Sequence, residues 1–285
     1  MDAEYRQVPA AWTQSRDKRW LGGLAVVFFG FFAILWGYQA VVATVEGRYV
    51  YGLFYFPAAV AATAMIMNAP DMIRARMRSV PPARAVHFNE GGVAFTRSRW
   101  ARWTLMTYLV AACWACLAFS IGMFTRAYEF PMTAGQGRVF PYLVGAMGAY
   151  LVAYLSCVLA GQIRRPRVIC TPVEVIVRST TESQSVEWDR IDKLEPFSMS
   201  GGPRHSMISM VTADGSQPKS DRHYRGPFAS ALKSPATITI KADQFDVGAV
   251  PLYWFLRYYL EHPEDRPELA DGRAVDRLLR GALVS

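Results

Sequence analysis

Apolar residues in this chain are gathered into four windows that contain no Asp, Glu, Lys or Arg: residues 21–45, 49–69, 103–125 and 139–163. At 1.5 Å rise per residue, each window is long enough to cross a hydrocarbon layer about 30 Å thick. One such run fits a buried core helix. Four of them, with charges confined to the intervals, predict four membrane-spanning helices, residues 20–163 overall. The pattern then changes. Arg167-Val168-Ile169-Cys170-Thr171 reads as a short strand, Pro172 interrupts it, and residues 173–178 resume with strand-like alternation. Residues 185–188, 205–212 and 236–241 predict further strands, 189–194 a bend, and 247–261 a helix. The fold class expected is α+β: a four-helix transmembrane bundle plus a β-barrel or sandwich over residues 164–270, capped by its C-terminal helix. Residues 271–285 read as a tail.

Charge fixes an orientation. Of the 285 residues 52% are hydrophobic and 19% charged, with net charge +8. Residues 1–167 hold 17 Lys and Arg against 7 Asp and Glu, and the remainder 14 against 16. The excess therefore belongs to the membrane half, which argues against nucleic acid as a partner. The segment before the first span carries Arg6, Arg16, Lys18 and Arg19; the middle loop, 70–102, carries seven arginines (74, 76, 78, 84, 97, 99 and 102); and the fourth span ends on Arg164, Arg165 and Arg167. The two alternate connections hold only Arg48, and Arg126 with Arg138. This alternation predicts both termini and the middle loop in the cytoplasm, in a multi-pass protein of the cell (inner) membrane. Val41-Val42-Ala43 resembles a weak cleavage site, but the preceding core, residues 21–38, is too long for a secretory signal and reads as an uncleaved anchor. Trp12, Trp20, Trp100, Trp103, Tyr49, Tyr51, Tyr55 and Tyr128 are expected to mark the interfaces.

Small residues at four-residue spacing predict helix contacts in a membrane. The fourth window has five, Gly145, Ala149, Ala153, Cys157 and Gly161; the third has Ala112, Cys116 and Ser120, and the first Gly23, Gly30 and Gly37. No ionisable side chain lies within a span, which disfavours a pump, channel or small transporter. Cys113 and Cys116 form a CxxC pair, but mid-span and without a second pair to relay electrons, so packing is preferred to a membrane thiol oxidoreductase. His87, His205, His223 and His262 are scattered, and no metal or cofactor is expected. No nucleophile elbow, phosphate loop or zinc-protease motif occurs, and the expectation is a protein that is not an enzyme.

The middle loop contains two alternating stretches, residues 85–88 and 93–96, around Asn89-Glu90-Gly91-Gly92, a hairpin signal. An isolated hairpin is marginal in water, so this one is expected to dock on the edge of the C-terminal β-domain; its deletion should quicken proteolysis near Ser200, Gly201 and Gly202. Arg74, Arg76 and Arg78, with Arg164, Arg165 and Arg167, are the candidate contacts to anionic lipid headgroups or a partner. The closing helix, with Leu252, Tyr253, Trp254, Phe255, Leu256, Tyr258 and Tyr259, is apolar on nearly every side and is expected to cover the β-core and also touch the bilayer.

Residues 168–178 together with Val186-Glu187-Trp188-Asp189-Arg190-Ile191 resemble the opening of bacterial pleckstrin-homology-like (PH-like) domains. Residues 245–269 resemble their closing helix and tail, as found in multi-pass proteins of high-GC bacteria, and 26 Arg against 5 Lys accords with such a coding sequence. The resemblance implies a PH-like fold over about residues 165–270. The enlarged region 199–233, with Arg204, Lys219, Arg222, Arg225 and Lys233, departs from the family pattern and has no inositol-phosphate motif. The function expected is a non-catalytic, membrane-anchored binding or scaffold protein whose partners are the lipid bilayer and either another membrane protein or anionic headgroups. The alternative is an accessory subunit of a lipid or envelope transport complex.

Overall fold

The computed structural model describes residues 8–13, 19–77, 81, 85–89, 91–97, 99–128, 134–198, 206–213, 215, 217–224, 226 and 237–283. The chain forms two compact units. One takes residues 18–70 and 99–161; the other gathers 1–17, 71–98 and 162–285. A short helix, α1 (Ala10–Thr13), belongs to the second unit, and four long helices follow along the chain: α2 (Arg19–Val45), α3 (Tyr49–Met77), α4 (Arg99–Phe124) and α5 (Ala134–Leu159). Each long helix contains a stretch of 19 to 26 residues long and apolar enough to cross a membrane.

Within the helical unit, α2 and α3 are joined by three residues. Gly47 adopts φ +72°, which lets the Arg48 amide reach back to the Ala43 carbonyl at 2.7 Å. α4 and α5 pack most closely. Ser120 Oγ donates to the Pro141 carbonyl at 2.6 Å, a Cβ on Gly145 would lie 2.6 Å from Ser120 Oγ, and Gly148 sits against Leu117 and Cys116. α3 meets α4 through a defect in its own ladder. Pro57 has no amide to offer the Leu53 carbonyl one turn earlier, and the Trp114 indole donates to that carbonyl at 3.0 Å instead.

Three expectations are corrected here. The ladder on α5 is not one contact face: Gly145 touches α4, Ala149 and Ala153 are exposed, Cys157 is half-buried, and Gly161 lies past the helix end with φ +69°. Residues spaced by four drift about 40° per step around a 3.6-residue helix, so five of them cannot face one straight neighbour, whereas Pro141, Gly145 and Gly148 can. The compact four-helix bundle is looser than expected, because only Ala40 and Ala43 of the described α2 side chains are buried. Tyr128, read as an interface anchor, is instead buried against Gly122, with its hydroxyl donating to the Val50 carbonyl at 2.7 Å.

The second unit contains two antiparallel sheets. Strands β1 (Val86–Asn89), β2 (Gly92–Thr96), β3 (Arg167–Cys170), β4 (Glu174–Arg178), β5 (Glu182–Glu187) and β8 (Lys219–Arg222) form one, in the order β1-β2-β3-β4-β5-β8; β6 (Ile191–Ser198), β7 (Ser206–Thr212) and β9 (Thr237–Lys241) form the other, in the order β6-β7-β9. Helix α6 (Ala249–Glu261) packs on the core, followed by α7 (Glu268–Asp271) and α8 (Arg273–Arg280). The loop hairpin does add to the edge of the C-terminal sheet, with Ala94 opposite Ile169 and Phe95 opposite Val168. Phe95 has no exposed surface and meets Phe255 of α6 edge-on, ring centroids 4.9 Å apart.

Other boundaries move. The bend expected at 189–194 is only a single turn, Trp188–Arg190, after which β6 begins. Trp188 lies in that turn rather than in a strand, fully buried, its indole donating to the Thr171 carbonyl at 2.7 Å. The tail expected at 271–285 contributes Ala274, Leu278 and Leu283 to the core.

Candidate functional site

The sheet unit is held together by residues that lie far apart in sequence. After Pro9, α1 makes one turn that directs Trp12 into the core at 4% exposure. Its indole donates to the Phe197 carbonyl on β6 at 3.1 Å, Ser198 Oγ donates to the Ala11 carbonyl at 2.9 Å, and the ring meets Tyr253 of α6 edge-on at 5.8 Å. Trp12 is therefore a core residue and not the membrane anchor its position suggested. It also covers Tyr253, one of the aromatic residues expected to reach the bilayer. Leu252, Phe255, Leu256 and Tyr259 are buried as well, leaving Trp254 half-buried beneath the Arg257 guanidinium. The apolar excess of α6 is covered by the chain itself.

The other end of α6 is closed by a polar cluster that the sequence pattern did not reveal. Arg277 of α8 forks onto Glu268 at 2.8 and 2.6 Å and lies 3.3 Å from Asp265. Tyr258 donates to Asp265 and Tyr259 to Glu268, while the Arg277 guanidinium lies over the Tyr258 ring at 4.9 Å. Arg266 reaches back to Asp189 at 2.6 Å and over the Trp188 ring at 5.7 Å, tying this end to the turn before β6. The Arg277 fork holds the Glu268 carboxyl below the usual carboxylate range. Burial, reinforced by the bond to Asp265, pushes the Tyr258 hydroxyl up to about 12, and burial raises Tyr259 further. These groups are saturated by one another, so the cluster is a clamp rather than an open site. In the sequence, Arg277, nine residues after Glu268, is the signal that could have marked the clamp.

The candidate basic contacts divide. Arg164 and Arg165 are exposed between α5 and β3, with the Arg164 amide donating to the Thr180 carbonyl at 2.9 Å. Arg167 is half-buried on β3, opposite Thr96 on one side and Arg178 on the other. Arg74 and Arg76 lie on the last turns of α3, where only the backbone is described, and Arg78 lies outside the described residues, as do Ser200, Gly201 and Gly202. All six arginines belong to the stretches that build the sheet unit. Lys219 and Arg222 of the enlarged loop sit on β8 and face Glu187 and Glu182 at 3.5 and 3.8 Å, so they are not a free basic patch.

Cys113 Sγ contacts the Gly148 carbonyl at 3.8 Å, a packing contact between α4 and α5, and Cys170 is enclosed in the sheet core, where burial raises its thiol. Such thiols are poor nucleophiles. No group of three or more His, Cys, Asp or Glu that could hold a metal ion occurs among the described residues. No family model, curated protein or solved structure matches this chain.

Proposed function

We propose that the protein is a multi-pass scaffold of the inner membrane that presents a non-catalytic, PH-like binding domain to the cytoplasm. One observation carries the reading: the sheet unit is assembled from α1, the β1–β2 hairpin and the C-terminal stretch, and two apolar helices separate each of these from the next. Two crossings return a chain to the side it left, so a membrane topology with all three on one side is the one compatible with a single unit. The basic residues concentrate in these same stretches, which favours the cytoplasm as that side. Two antiparallel sheets with α6 against their core support the PH-like assignment. Exposed Arg164 and Arg165, between α5 and β3, are the surface offered to a partner or to anionic headgroups.

The reading is tested on the full chain in cells. A reporter fused after Ser285 should be active only in the cytoplasm, and a photo-crosslinker at position 164 or 165 should capture one membrane protein in stoichiometric yield or anionic phospholipid. An extracytoplasmic reporter, or no adduct of either kind, would overturn it. A second reading, an accessory subunit of a lipid or envelope transport complex, is favoured by the exposed faces of α2 and of α5 around Ala149 and Ala153. It predicts adducts from position 149 or 153 instead.

A further inference from the structure

Within the helical unit, a groove of about 1040 Å³ runs along α3 from Tyr49 to Met67, walled by α2 on its outer half and by the first two turns of α4 on its inner half. At 1.5 Å per residue this is about 27 Å, close to the depth of a hydrocarbon layer. Its volume slightly exceeds the range for sites that enclose small molecules, about 300–1,000 Å³. None of the lining residues is charged. Small residues on facing helices normally let membrane helices touch. Here Gly37 on α2 and Gly52 and Ala59 on α3 line open space: a Cβ on Gly37 would meet nothing within 4 Å, and one on Gly52 only Thr44 Oγ1 at 4.0 Å.

An apolar channel at membrane depth excludes water and has to be filled by something apolar. The inner mouth adds a charge preference. Trp100 and Trp103 line it with 52% and 66% of their surface exposed, and Arg99 and Arg102 flank them on the first turn of α4. Amphipathic indoles and cations at one end of an uncharged groove match a molecule with a hydrocarbon tail and an anionic head.

We infer that the groove along α3 is the binding site of one anionic phospholipid drawn from the surrounding leaflet, its acyl chain between α2 and α3 and its phosphate at Arg99. The inference rests on the membrane topology in the proposed function but not on the scaffold role of the sheet unit.

The full-length protein, solubilised from membranes and exchanged through mild detergent, is examined by native mass spectrometry beside three variants. Gly37→Phe and Ala59→Phe fill the groove from opposite walls, and Arg99→Gln removes the charge at the mouth. The unaltered protein should retain one phospholipid per chain, with anionic classes enriched over their membrane abundance. Both filled variants should lose it. Arg99→Gln should keep a lipid but lower the anionic preference about fivefold, the weight of one cation near a headgroup surface. Retention of the lipid by both filled variants, absence of bound lipid from the unaltered protein, or a mass showing a second copy in place of lipid would each overturn the inference. Because the crosslinks at positions 164 and 165 lie outside the groove, their failure with lipid retention intact would refute the scaffold reading alone.

Discussion

Phe95→Ala tests the assembly of the sheet unit directly, because the residue lies in a loop between two apolar helices while the structure it supports lies more than seventy residues further on. The ring is completely buried, pairs through its backbone with Val168 and meets Phe255 edge-on. An aromatic side chain of this kind buries about 150–250 Å², and its removal to alanine costs about 3–5 kcal/mol once the cavity is included. Against the 5–15 kcal/mol that typically holds a domain folded, this is between a fifth and all of the margin. The measurement is pulse proteolysis of the full-length protein in detergent across a urea series, following cleavage within residues 206–283. Phe95→Ala should move the midpoint down by the equivalent of about 3–5 kcal/mol. His87→Ala, on an exposed side chain of the same hairpin, should stay within about 0.5 kcal/mol of the parent. If Phe95→Ala left the cleavage of the C-terminal stretch unchanged, the hairpin would not be part of its core and the three-stretch unit would be wrong.

Three further outcomes follow from the geometry. Glu268 is held below its unfolded value, so its contribution to stability is present above about pH 4.3 and is lost as pH falls through the lowered native value; Arg277→Met should abolish this acid-side loss in melting curves taken between pH 3 and 6 (about the window set by the reference carboxylate). Tyr258 is raised to about 12, so stability should fall between about pH 10 and 12 as the unfolded phenol ionises first, and Tyr258→Phe should lessen that fall in chemical denaturation, the raised Tyr259 keeping the remainder. In the helical unit, Trp114→Phe should cost about 1 kcal/mol in detergent melting, and almost nothing when combined with Pro57→Ala, which gives the Leu53 carbonyl an amide of its own; equal cost in both backgrounds would refute the link.

The four long helices were legible because their signal is local and large: an uncharged run of twenty or more residues has few other homes. The hairpin was legible for the same reason, and its docking followed from the weakness of a lone hairpin. What stayed hidden depended on distance. Trp12 beside the first apolar window is indistinguishable in sequence from an interface anchor, since only its contacts with Phe197 and Tyr253 make it a core residue. β8 was missed because Lys219-Ser220-Asp221-Arg222 is exposed at every position and shows no alternation. The clamp escaped because its acids and Arg277 meet only after α7 and α8 have folded back, and β6 because a single turn at Trp188 separates it from β5.

The order in which the stretches appear also sets a schedule for biogenesis. β2 ends at Thr96 and its partner β3 begins at Arg167, so at 5–20 residues per second a ribosome needs about 4–14 s to supply the neighbour. For that interval the nascent hairpin carries Val93 and Phe95 without the surface that will cover them, while the two apolar helices α4 and α5 are being made. A newly made chain therefore has to be shielded from aggregation or quality-control proteases at least until Arg167 and the residues after it have been made. Truncated products stopping before residue 167 would be expected to turn over rapidly, whatever the stability of their membrane segments.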